Sequence, residues 1–105
     1  MAAIPAAANQ PLRVSVTPDL VSEPARVTVQ VLVEPHAENR AIEIVAESEG
    51  FYRSSYVELE GDRAARYTVV RYRDLPAGTY EIRGVLRGSN GRERAVDRRR
   101  LTVLP

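Results

Sequence analysis

The chain has 105 residues, 44% of them hydrophobic, and a formal net charge of +1 from fifteen basic and fourteen acidic side chains. All fifteen basic residues are arginine; there is no cysteine and one histidine, His36. A chain of this length forms one domain and buries a core without staples. The composition excludes a disulfide framework, a thiolate zinc site, a multi-histidine metal site within one chain and a lysine Schiff base. No stretch approaches the ~18 apolar residues needed to span a membrane.

Charge is uneven along the chain. Residues 1–52 carry three arginines against seven carboxylates, net −4; residues 53–105 carry twelve against seven, net +5. Opposite halves of this kind suit head-to-tail contacts between copies. The chain divides into an alanine-rich tail or linker over residues 1–11 and a folded domain over 12–105.

In the domain, apolar residues alternate with polar ones at a period of two, and β-branched residues fill the runs, as half-buried strands require. The first run is Leu12, Val14 and Val16; Thr17-Pro18-Asp19 ends it. Val27, Val29, Val31 and Val33 follow, then a turn from Glu34 to Asn39. Ile42, Ile44 and Ala46 form the third run, closed at Gly50. Val57 and Leu59, then Ala65, Tyr67 and Val69, flank Gly61-Asp62. Tyr80, Ile82, Gly84 and Leu86 come after Leu75-Pro76-Ala77-Gly78. Asn90-Gly91, the strongest short hairpin signal, leads to the last run at Leu101 and Val103. These features predict an all-β, immunoglobulin-like antiparallel sandwich of about seven strands, near 12–17, 26–34, 40–48, 54–60, 64–73, 79–88 and 92–104. In that order the third and sixth strands are neighbours, so Glu43 and Glu47 face Arg83 and Arg87. Each such pair contributes about 0.2–1 kcal/mol. The last strand loses its alternation through Arg94, Asp97, Arg98, Arg99 and Arg100. A bulge near Asp97 restores the phase, and the arginines protect a sheet edge.

The segment Tyr67-Thr68-Val69-Val70, followed by Leu75-Pro76-Ala77-Gly78-Thr79-Tyr80-Glu81-Ile82-Arg83, resembles fibronectin type III and related bacterial immunoglobulin-like domains. The turn is one residue shorter than the usual fibronectin form, and the tryptophan and cysteine pair of antibody domains are absent. The resemblance implies a tyrosine corner in which Leu75, Gly78 and Tyr80 are structural. It also implies a non-enzymatic structural or interaction module, extracellular or on the cell surface, the periplasm included.

Candidate sites are few. His36 reads as an exposed loop residue. Glu58, Glu60 and Asp62, or Glu47 and Glu49, are carboxylates of the kind that ligate calcium, but EF-hand spacing is absent; no metal or cofactor is expected. No glycine-rich phosphate loop is present. The arginines of residues 92–100 lack interleaved aromatics, so nucleic acid is not an expected partner. The expected partner is protein, including copies of the chain that dock through the tail at Ile4 and through an edge strand carrying Arg94, Arg98 and Arg100. A second reading places a carbohydrate or other ligand on an aromatic cluster of Phe51, Tyr52 and Tyr56.

Overall fold

The computed structural model describes residues 10–105. Eight strands make two stacked sheets. One has three strands, β1 (Leu12–Thr17), β3 (Ala25–Val33) and β6 (Tyr67–Leu75), in the order β1-β3-β6. The other has five: β2 (Leu20–Ser22), β4 (Ala41–Ser48), β5 (Phe51–Glu58), β7 (Gly78–Arg87) and β8 (Glu93–Leu104), in the order β2-β8-β7-β4-β5. The all-β sandwich expected from the alternation is therefore the fold. The eighth strand is β2, three residues that pair in parallel with Thr102, Val103 and Leu104. It was missed because a three-residue strand carries no period and its partner lies some 80 residues away in the chain.

Alternation places one side chain of every pair between the sheets. Val14, Val29 and Val31 from the three-stranded sheet meet Ile42, Ile44, Ile82 and Leu86 from the other, all fully buried. The layers approach closely at Gly84, where an added Cβ would lie 2.6 Å from Val14 Cγ2. Burying each large aliphatic side chain contributes about 1.5–3 kcal/mol.

The turn before β7 is built as the sequence indicated. Leu75 is fully buried, and the Tyr80 hydroxyl donates to the Pro76 carbonyl at 2.7 Å. Asn90 and Gly91 both have left-handed φ, 63° and 71°, in a longer connection than a two-residue hairpin: a short 3-10 turn, Ser89–Gly91, joins β7 to β8. β4 and β7 are neighbours, with Arg87 2.9 Å from Glu43 and Arg83 3.6 Å from Glu47.

One expectation about the last strand is corrected. The irregularity of β8 lies at Arg94, where the register with β7 shifts between Leu86 and Arg87, and pairing runs unbroken through Asp97. β8 is interior only at Thr102, Val103 and Leu104, where β2 covers it; its arginine-bearing stretch pairs with β7 alone and forms a sheet edge. Counting back from Leu101, Asp97 and Arg99 take core-facing positions. They do so where β8 runs beside β1 along the lateral seam of the sandwich. There the Asp97 carboxylate accepts from the Val14 amide at 2.8 Å, the Arg98 amide at 3.0 Å and the Arg99 guanidinium at 2.9 Å. A polar residue at an inward position thus satisfies an edge amide of the opposite sheet.

The opposite seam is closed in the same manner. Tyr72 on β6 points across to the five-stranded sheet, donating to the Ile44 carbonyl and accepting from the Ser55 hydroxyl, each at 3.3 Å. Arg53 on β5 donates to the Arg73 carbonyl at 3.2 Å.

Asp97→Ala strips the Val14 amide of its acceptor and is expected to cost about 1–3 kcal/mol, against about 1 kcal/mol for Tyr80→Phe. Urea unfolding of the two variants beside the parent checks both the size and the order.

Candidate functional site

Period-two alternation gives each sheet an outer face, and the two faces differ in charge. The strands of the five-stranded sheet carry seven arginines and six carboxylates. Those of the three-stranded sheet carry four arginines, Arg13, Arg26, Arg71 and Arg73, and one carboxylate, Asp74.

On the five-stranded face most of the charges are paired locally. Besides the Glu43–Arg87 and Glu47–Arg83 pairs, Glu81 lies 2.6 Å from Arg83 and 3.8 Å from Arg98. The Glu81 hydrogen bond, with the nearby charge of Glu47, holds the Arg83 guanidinium above its ordinary value. Val45, though it belongs to the outer face, is only 2% exposed; Ser54 and Arg83 flank it across the neighbouring strands. A groove of about 430 Å³ crosses this sheet, lined by Arg98, Arg99 and Arg100 but also by Glu47 and Glu81. It is zwitterionic.

On the three-stranded face the charges stand alone. β3 and β6 fall out of step between Ala25 and Val27. Ala25 opposes Leu75 while Val27 opposes Tyr72, so β6 carries one extra residue there. Asp74 takes up the irregularity with a left-handed φ of 61°. A bulge of this kind re-aims the side chains beside it. Arg71 and Arg73, two residues apart on β6, are both exposed, and so is Arg26 on β3. Together with Thr17 and Thr28 these arginines line a second groove of about 430 Å³ whose lining holds no carboxylate. Thr17, Thr28 and Arg71 lie in one row across the three strands. Among the described residues no carboxylate comes within ion-pair distance of Arg26, Arg71 or Arg73. Arginine donates in a planar fork that matches the two oxygens of a carboxylate, phosphate or sulfate. The arrangement offers donors whose geometry suits an oxyanion.

The residues singled out in the sequence fall in several places. Ile4 and the rest of the tail's first nine residues lie outside the described residues. Phe51, Tyr52 and Tyr56 do not form one platform. Phe51 turns inward and packs edge-on against Tyr80, ring centroids 5.5 Å apart, with the Arg53 guanidinium 5.2 Å from its ring centre. Tyr52 and Tyr56 stand outward, 59% and 63% exposed, opposite Glu47 and Glu43. Arg94 is spent on the buried Asn39 side chain, to which it donates. Arg98 and Arg100 share the zwitterionic groove. His36 accepts the Glu38 amide at 3.0 Å through Nδ1 within its turn. Among the described residues no three histidine, aspartate or glutamate side chains gather closely enough to hold a metal ion. No helix among them is long and apolar enough to cross a membrane. Arg26, Arg71, Arg73, Thr17 and Thr28 were not singled out from sequence. The available signal was the scarcity of acidic residues in the second and fifth apolar runs.

Solved structures share this fold. Two of superoxide reductase (neelaredoxin) from Ignicoccus hospitalis match with TM-scores of 0.65 and 0.64, at 17% and 18% identity. They cover 90% and 88% of this chain and 80% and 79% of theirs. A family 76 glycoside hydrolase from a bovine Bacteroides thetaiotaomicron strain matches at TM-score 0.64 and 16% identity, over 90% of this chain and 20% of that one. No protein-family model matches the chain, and no curated protein matches its sequence significantly. These neighbours overturn the functional expectation attached to the sequence. The resemblance to immunoglobulin-like domains implied a non-enzymatic structural or ligand-binding module of the cell surface, a filament subunit among the forms considered. The matched structures bear the names of enzymes instead. The inference from fold to a non-catalytic role therefore fails. At this identity the likeness is one of fold.

Tyr72, which lies under the arginine groove, supplies a pH test of the geometry. Burial pushes its phenol above the ordinary tyrosine value, only partly offset by the Ser55 hydrogen bond and the nearby Arg53 charge. A group whose folded pKa is raised adds stability in full below its unfolded pKa, about 10 for tyrosine, and loses it as pH rises through the folded value. Stability is expected to fall above about pH 10, and Tyr72→Phe to flatten that part of the profile. Chemical denaturation between pH 8 and 11.5 reads both.

Proposed function

We propose that the chain binds an anionic partner through the outer face of its three-stranded sheet, with Arg26, Arg71 and Arg73 as the charged contacts and Thr17 and Thr28 as neutral donors. One observation carries this reading: three arginines share a groove that contains no carboxylate, in a protein whose other sheet pairs most of its charges. Unpaired guanidiniums repel one another, and a folded chain gains nothing from collecting them on one face. An incoming oxyanion removes that repulsion and accepts the donors in pairs.

The zwitterionic groove at Arg98 and Arg100 is the weaker candidate, because Glu47 and Glu81 line it beside its arginines and Glu81 lies 3.8 Å from Arg98. An anion that entered there would displace those carboxylates and face their charge.

Calorimetric titration with a panel of polyanions (polyglutamate, heparin and single-stranded oligothymidylate) at low salt tests the proposal. At least one is expected to bind, and the binding to weaken as salt approaches physiological strength. Arg71→Ala and Arg73→Ala are each expected to lower affinity about three- to tenfold, since an exposed ionic contact contributes about 1 kcal/mol. Arg98→Ala and Arg100→Ala are expected to leave it unchanged. Absence of binding to every polyanion, or a loss that follows Arg98 and Arg100 instead, contradicts the proposal.

A further inference from the structure

The arginine groove does not end the outer face of the three-stranded sheet. Three rows of side chains can be read across the strands from the register. Thr17, Thr28 and Arg71 form the first, beside Arg26 and Arg73; Ser15, Gln30 and Val69 form the second; Arg13, Leu32 and Tyr67 form the third. The third row borders a smaller groove of about 230 Å³, lined by Arg13, Ser15, Gln30, Leu32 and Tyr67. The face therefore has a strongly cationic end with three arginines and a mixed end, where Leu32, Tyr67 and nearby Val69 stand beside a single arginine, Arg13. Tyr67 is 58% exposed and Val69 43%, with Leu32 half-buried between the strands that carry Arg13 and Tyr67. From Thr28 to Leu32 is four residues of β3, or about 13 Å along the strand.

Resting on the anionic reading of the arginine groove, we infer that the partner is an acidic polypeptide segment, bound extended along this face. Its carboxylates meet Arg26, Arg71 and Arg73, and an apolar side chain about four residues from them covers Leu32, Tyr67 and Val69.

Three features of the face select a polypeptide over other polyanions. Arginine and tyrosine are the side chains that most often anchor protein interfaces, tyrosine because it offers a large contact area at small entropic cost. The mixed end includes two aliphatic side chains, Leu32 and Val69. These reward an apolar partner group by excluding water and offer nothing to a sulfate or a phosphodiester. Single-stranded nucleic acid is held by successive aromatics that stack successive bases, whereas this face presents one ring. An extended peptide advances about 3.3 Å per residue, so four residues carry it from the first row to the third. Serine and glutamine in the middle row, Ser15 and Gln30, face the intervening peptide with neutral hydrogen-bonding groups.

The test compares fluorescein-labelled hexaglutamate with the same peptide extended by a Gly-Ser-Gly spacer and a tryptophan, placed at either end in separate peptides. Affinity for the full chain is measured by fluorescence anisotropy. Hexaglutamate alone is expected to bind weakly. One of the two tryptophan peptides is expected to bind at least fivefold more tightly, which also sets the direction of the bound segment. Tyr67→Ser is expected to abolish that gain while leaving hexaglutamate binding unchanged. Tyr67 is mostly exposed, so this variant retains the fold. Arg71→Ala is expected to weaken both peptides in proportion. Equal affinity with and without tryptophan at both ends overturns the inference but leaves the anionic reading standing. So does tighter binding of heparin or oligothymidylate than of either tryptophan peptide at matched charge. Failure of hexaglutamate, heparin and oligothymidylate alike to bind overturns both.

Discussion

The Asp97 carboxylate is the contact on which the arrangement of this sandwich turns. It projects from β8 of one sheet and accepts the Val14 amide of β1 in the other. A sandwich built from two separate sheets has lateral seams, where edge amides and carbonyls lose water without gaining strand partners. At this seam one side chain supplies the missing acceptor and also anchors the Arg98 amide and the Arg99 guanidinium. The far seam depends on the converse device, in which Tyr72 from the three-stranded sheet reaches the Ile44 carbonyl. The sheets thus exchange polar side chains, Asp97 and Arg53 from one and Tyr72 from the other. The core between them needs no buried charge beyond these margins.

Closing the seams in this way also settles where charge can act. The arginine-rich stretch of β8 looks in the sequence like a basic edge. Folding assigns Arg99 to Asp97 and Arg94 to Asn39, and sets Arg98 near Glu81. The acidic first half supplies Glu43 and Glu47 to Arg87 and Arg83. Exposed pairs like these stabilise the fold by less than about 1 kcal/mol each. Their larger effect is to cancel the field over the five-stranded sheet. The three-stranded sheet receives no such complement, because β1 and β3 carry no acidic residue and Asp74 sits at the end of β6. A chain of net charge +1 therefore presents one face that is strongly cationic for its size. The net charge alone gives no sign of it.

Much of the fold was legible in the residues. Alternation located the seven longer strands, because a half-buried strand must separate apolar from polar side chains at every step. Asn90-Gly91 and the Leu75–Tyr80 turn set the connections around β7, and the pairing of Glu43 and Glu47 with Arg87 and Arg83 followed from the strand order. What escaped were features decided by tertiary proximity. β2 is too short for a period, the seam role of Asp97 depends on which strand lies beside β8, and the bulge at Asp74 has no local signature beyond an aspartate. The site escaped for a related reason. A run such as Arg92 to Arg100 attracts notice in a sequence, but Arg94, Asp97, Arg98 and Arg99 have partners in space. Arg26 and Arg71 are 45 residues apart and join only when β3 pairs with β6. The functional expectation failed differently, since it rested on a resemblance of fold, and this fold occurs in solved structures that bear the names of enzymes.

The proposed recognition of an anion by the three-stranded sheet is tested by amide and arginine side-chain chemical shifts, followed by nuclear magnetic resonance while polyglutamate is titrated into the isotopically labelled full chain. Thr17, Thr28, Arg26, Arg71 and Arg73 are expected to shift together with one binding curve, while Arg83, Arg98 and Arg100 stay in place. Shifts centred on Arg98 and Arg100, or spread evenly over every arginine, would contradict it.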